Sequence, residues 1–204
     1  MAHPANWPST ITALANRSMA KIGANVRFND VESDVHPHAQ IVRDSLYDAI
    51  REMQSEYRWI ELKTPAVLST PDAGYESGSV DGWSYRYVLP DDFLRPLQDM
   101  DFEYELFGAF IYCDVAENIK LRYIRYSEDV AEWSSSLYKA VVYGLAMEIS
   151  LPITQTDVIA NGLKAEYENW VAPLLRRIQS YSHKKPNVRA RRVSTLGALR
   201  RGYR

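Results

Sequence analysis

Residues able to carry covalent chemistry are scarce in this chain. It has one cysteine, Cys113, which excludes an internal disulfide and gives no sign of an oxidising compartment. Free cysteine is usually buried, so Cys113 is expected in the core rather than as a nucleophile. Only four histidines are present. Two of them, in His36-Pro37-His38, suggest a metal pair, but no Cys or His cluster completes the three or four ligands that zinc typically takes. They read instead as polar residues at a helix start. The glycines from Gly74 to Gly82 lack the Gly-Lys-Ser/Thr of a phosphate loop, and no Gly-x-Ser-x-Gly elbow occurs. The acid pairs Asp91-Asp92 and Asp99 with Asp101 read as turn formers, or as a cap before Phe93, rather than as acid and base. No enzyme, metal or cofactor is expected.

Long apolar runs are also missing. None approaches the roughly 18 residues of a membrane span, and Met1 to Trp7 lacks the basic and apolar regions of a secretion signal. The expectation is a protein of the cytoplasm with no membrane partner. With 46% hydrophobic and 25% charged residues, neither wholesale disorder nor a fibrous repeat is indicated, and 204 residues suit one body with an insertion.

What is present is charge segregation. Net charge is only −2, from 24 basic and 26 acidic residues. Eight of the basic ones and none of the acidic ones fall in residues 183–204: Lys184, Lys185, Arg189, Arg191, Arg192, Arg200, Arg201 and Arg204. That leaves 16 basic and 26 acidic residues in 1–182, a body of −10 carrying an arm of +8. Such asymmetry bears on partners rather than on fold.

Apolar periodicity predicts four main helices. The first, over 9–23, carries Ile11, Leu14, Ala15, Met19 and Ile22, with Ser9 or Thr10 as N-cap and Gly23 where a left-handed C-cap belongs. The second, over 35–58, carries Val35, Ala39, Val42, Leu46, Ala49, Ile50, Met53 and Tyr57, with Asp44, Asp48, Arg51 and Glu52 toward water. The third, over 129–150, carries Val130, Trp133, Leu137, Val141, Leu145 and Ile149, and Pro152 is expected to end it. The fourth, over 155–182, carries Ile159, Leu163, Tyr167, Trp170, Leu174, Ile178 and Tyr181. Between the second and third, over 59–127, prolines and glycines punctuate alternating or apolar runs at 84–89, 102–107, 110–113 and 119–126. These predict a small antiparallel sheet, with a helical turn near 91–97. The expected fold is α+β: a four-helix bundle, two helices from each end, with one inserted sheet and an extended C-terminal arm. The body spans 1–182 and the arm 183–204.

Trp59, Trp133 and Trp170 lie on stripes or at element ends and are expected in the core. Tyr75 and Trp83 bracket a loop rich in Gly, Ser and acid with no local core in sequence. Exposed aromatics are enriched at interfaces, so this pair is a weaker interface candidate.

Certain stretches resemble the tail tubular protein A family, head-to-tail adaptors of short-tailed bacteriophages. They are Leu14 to Gly23, the acidic turn Asn29 to Asp34, Tyr57-Arg58-Trp59, Leu89-Pro90-Asp91-Asp92-Phe93, Lys120 to Ile124, and Ser150-Leu151-Pro152-Ile153-Thr154. The resemblance spans roughly residues 10–182 and rests on order and spacing, since each piece alone is ordinary helix or turn chemistry. It implies a structural virion protein assembled in the host cytoplasm: a homo-oligomeric ring, twelve copies by resemblance, between the portal and the tail nozzle (a tail tubular protein B-like protein). The ring would surround the genomic DNA without gripping it during ejection. It also implies that the C-terminal segment reaches the portal. In this chain the portal-binding residues would be the eight arm cations, with Val188, Val193, Leu196, Leu199 and Tyr203 as apolar anchors. The Tyr75 to Trp83 loop would face the nozzle. The arm and this loop depart most from the family pattern. An arm with so few apolar side chains cannot bury a core of its own and needs a partner for order, and extended it spans about 70 Å at roughly 3.3 Å per residue. The alternative from another class is a nucleic-acid-binding protein using the same arm on phosphates, which the acidic body opposes.

Overall fold

A computed structural model describes residues 10–97, 102–116 and 118–182. The chain runs α1 (Ile11–Lys21), α2 (Pro37–Glu56), β1 (Lys63–Leu68), β2 (Tyr85–Val88), β3 (Phe93–Pro96), β4 (Tyr104–Phe107), β5 (Phe110–Cys113), β6 (Ile119–Arg125), a 3-10 turn (Val130–Glu132), α3 (Ser135–Thr154) and α4 (Asp157–Glu166). A π-helical turn (Tyr167–Val171) leads into α5 (Ala172–Ser182).

The helix starts follow side-chain caps. Thr10 accepts from the Ala13 N–H, Ser134 from Leu137 and Thr156 from Val158, each satisfying an amide of an open first turn. At α2 the cap is His36, whose Nδ1 accepts from the His38 N–H, with Pro37 at the first helical position where its missing N–H costs nothing. Val35 therefore precedes the helix and is 97% exposed, against its expected place in the stripe. Gly23, at φ +74°, closes α1 as expected, with Ala24 N–H bonded back to Met19 O.

Two expectations for the third helix need correction. The spacing of Val130, Trp133 and Leu137 crosses an extended Trp133 that separates the 3-10 turn from α3. Pro152 does not end α3. It sits in the last turn, where its absent donor removes one bond, and the helix stops at left-handed Gln155, whose N–H bonds to Leu151 O. In the fourth helix, Pro173 has no N–H to give the carbonyl four residues back, and the chain accommodates it with a π turn in which the Ala172 N–H reaches Tyr167 O. The extra residue rotates the stripe beyond it. Leu163 and Tyr167 are buried as expected, but the burial then passes to Val171, Ala172 and Leu175, leaving Leu174 59% exposed.

The helices do not form a four-helix bundle; the fold is mixed α+β with α3 at its centre. α1, α2 and α4 each make their main helix contacts with α3 rather than closing a ring of neighbours. The reason lies in the α3 sequence, which buries residues all round its circumference: Leu137, Tyr138, Ala140, Val141, Val142, Tyr143, Gly144, Leu145 and Ala146 in unbroken succession but for Lys139. An all-round apolar helix belongs inside, not at one corner of a bundle. Gly144 lets α2 approach, since a Cβ there would stand 2.9 Å from Met53 Cγ.

The insertion is two three-stranded antiparallel sheets, not one: β1-β6-β3 and β2-β5-β4. The segment at 91–97 forms edge strand β3 instead of a helical turn. Pro96 suits that edge, where no ladder donor is required, as does Pro65 in β1. The sheets share a second core of Tyr87, Ile111, Cys113, Ile119, Leu121 and Tyr123. β6 joins both halves of the molecule: Ile119, Leu121 and Tyr123 face this core while Ile124 joins the helical one. Gln54 of α2 adds a buried clamp on the chain leaving β6, its amide donating to Ser127 O at 2.7 Å and accepting from Ser127 N–H at 3.0 Å.

Candidate functional site

The residues weighed for chemistry take structural places. Cys113 is buried in the sheet core, and burial pushes its thiol pKa up, the opposite of an activated nucleophile. His36 is a helix cap. Asp92 fixes the turn before β3, accepting from Tyr123 OH at 2.7 Å while its carbonyl accepts from Tyr126 N–H. Asp99 and Asp101 lie outside the described residues. Among the described residues no three His, Cys, Asp or Glu side chains gather as a metal would require, and no helix is long and apolar enough to cross a membrane.

The Tyr75 to Trp83 loop is more organised than its composition suggests. Gly78 and Gly82 adopt positive φ, and the Gly78 N–H bonds to Trp83 O. The Tyr75 hydroxyl also donates to Trp83 O at 2.9 Å, and Trp83 Nε1–H donates to Glu105 of β4 at 3.0 Å. Arg86 of β2 lies between two aromatic rings, 4.3 Å from the Phe110 centroid and 5.2 Å from that of Tyr75, while its Nε and Nη2 both donate to Asp72. The Gly74 N–H, then Arg86, hold the Asp72 carboxyl below its ordinary pKa. Both aromatics are half-buried: the local core that the sequence did not reveal is the outer face of the second sheet.

Strand register extends this face. Arg86, Tyr112 and Glu105 form one row across β2, β5 and β4, and Val88, Phe110 and Phe107 the next. Phe107 is 71% exposed and Val88 more than half. The pre-set loop thus borders an uncovered apolar row, a surface suited to contact rather than reaction. Sequence reasoning missed Val88 and Phe107. The available signal was Val88 falling in step with Ser84 and Arg86, an apolar side chain on the polar face of its strand.

The arm residues Lys184, Lys185, Arg189, Arg191, Arg192, Leu196, Leu199, Arg200, Arg201, Tyr203 and Arg204 lie outside the described residues. The described chain ends with α5 at Ser182.

A scan against protein-family models gives no match, and neither does a search of curated proteins.

Proposed function

We propose that this chain is a structural subunit of a head-to-tail adaptor ring in a short-tailed bacteriophage, joining the portal above to the tail nozzle below. The observation that carries the reading is the charge division: a body of −10 ends in a 22-residue arm of +8 that has too few apolar residues to fold on itself. In this reading the arm gains order on the portal, its guanidinium forks pairing with carboxylates and its leucines and Tyr203 providing apolar anchors. The outer face of the second sheet, with Tyr75, Trp83, Val88 and Phe107, is the downward contact. The acidic body keeps duplex DNA from adhering as it passes. The stretches that resemble the adaptor family are the second support for the reading.

Removal of residues 184–204 tests the reading. Capture of the purified protein by portal rings is expected to be lost, and intact capture would refute the arm's role. Duplex binding provides the second arm of the test: an affinity falling steeply with salt would instead favour the nucleic-acid-binding alternative.

A further inference from the structure

Two surfaces on opposite sides of α3 complement each other. Ser18 of α1 donates to Val142 O at 3.1 Å, whereas Gly144 lies against Met53 of α2. Two steps along an α-helix turn the direction by about 200°. α1 and α2 therefore flank α3 from opposite sides.

On the α1 side, α1, α3 and α5 border a groove of about 450 Å³. Val142, Val171 and Leu175 make its lining apolar, and the outward-turned Leu174 adds to it. Arg17 and Lys139 stand at its edge, exposed and without an ion pair among the described residues. A third cation, Lys21, is already engaged, donating to Tyr143 OH at 2.6 Å and to Glu166 at 3.2 Å.

On the α2 side the charge is reversed. Asp44, Asp48 and Glu52 follow one another at four-residue steps, all exposed, and so occupy one ridge. Glu148 of α3 joins them. Burial first, then the charges of Glu52 and Asp48, push its carboxyl up to about 7, so the exposed acids Asp44, Asp48 and Glu52 supply most of the charge of this ridge near neutral pH. Leu151, one turn further along α3, is half-exposed and supplies an apolar contact beside the acids.

We infer that the Asp44, Asp48, Glu52 and Glu148 ridge of one copy docks on the Arg17 and Lys139 groove of the next, and that this is the side-by-side contact of the ring. Two copies of either surface repel, so a two-fold dimer through one face is disfavoured. Unlike surfaces on opposite sides leave one of each free after every addition, the head-to-tail arrangement that a ring requires and that closes only when the rotation between copies returns to the start. The inference rests on the adaptor reading for its ring, but its chemistry needs only a second copy of this chain.

Charge exchange between the two faces tests it on the full chain. One variant carries Arg17→Glu with Lys139→Glu, the other Asp48→Lys with Glu52→Lys. Wild type at up to millimolar concentration and low salt, treated with a carbodiimide, is expected to give intermolecular cross-links from Lys139 to Asp48 or Glu52, identified by mixing isotopically light and heavy protein. Each variant alone is expected to lose at least tenfold in self-association by sedimentation. Their mixture is expected to recover it, because the reversed groove fits the reversed ridge and the unaltered faces fit each other. Circular dichroism and thermal unfolding verify that the variants fold. Absence of these cross-links in wild type, association of either variant at the wild-type level, or a folded pair that does not rescue would each overturn the proposal. Portal capture by the arm, scored separately, distinguishes failure of this contact from failure of the adaptor reading.

Discussion

At the scale of single residues, two side chains with no place in an apolar pattern set conditions for the fold. The Gln54 amide is buried and satisfies both the N–H and the carbonyl of Ser127. Gln54→Ala would leave both buried groups unpaired, and the expected loss is roughly 2–6 kcal/mol by denaturant unfolding, at about 1–3 kcal/mol per orphaned group. Glu148 acts through its proton. Its folded pKa is raised to about 7, above that of a carboxylate in the unfolded chain, so folding takes up a proton there. The sign follows: the stabilising contribution is complete below the unfolded pKa and is lost as pH rises through about 7, leaving a cost at higher pH. Glu148→Gln is expected to stabilise the monomer by about 1 kcal/mol at pH 8, allowing for solvent screening of a partly exposed group, and to change little near pH 4.5. Thermal unfolding at the two pH values checks this. Neither residue was legible from periodicity, because a polar side chain in a helical sequence does not announce which backbone group or charge it will meet.

At the scale of elements, the α2–α3 crossing depends on Gly144. Gly144→Ala gains roughly 1 kcal/mol of helix propensity against a tight contact with the flexible Met53, whereas Gly144→Val adds branched bulk that Met53 cannot evade. The valine variant is expected to lose about 1–3 kcal/mol by overpacking, measured by chemical denaturation, and a neutral result would contradict the close approach. The sequence placed Leu14, Leu46, Leu137, Leu163 and Tyr167 on buried faces correctly, since each belongs to a stripe of helical period. Beyond Pro173 it failed. A π turn shifts the register by one residue, so Leu174, in step on an ideal helix, turns to solvent while Leu175 goes inside. Pro173 was the available signal, a residue that cannot donate in mid-helix. Likewise Asp91, Asp92 and Phe93 look like a capped helix start, and only pairing with β6 makes 93–96 extended.

At the scale of the whole molecule, helical and sheet cores meet along β6. Because the arm is proposed to dock on the portal and not on its own body, the truncation described above is expected to move the thermal midpoint by less than about 2 °C, a shift corresponding to roughly 0.5–1 kcal/mol. A larger drop in differential scanning calorimetry would mean that the arm braces its own body, contrary to its proposed docking elsewhere. The charge division that motivates this prediction was legible in full, because counting charges needs no coordinates. The candidate contact face of the second sheet was legible only in part. Tyr75 and Trp83 stood out as aromatics in a polar loop, but their support by Arg86, Glu105 and Phe110 comes from strands up to 35 positions away and from a register that no local pattern encodes.

The sequence by itself determined the approximate places of the four main helical segments, the absence of a second cysteine and the division into acidic body and basic arm. These follow from local periods, caps and composition, which act within a few residues. Tertiary structure decided that α3 is a central helix and not one corner of a bundle, that the strands sort into two sheets, and that the Arg17 and Glu52 surfaces lie on opposite sides. Those outcomes depend on which buried face meets which, and that choice is settled by packing between segments distant in the chain.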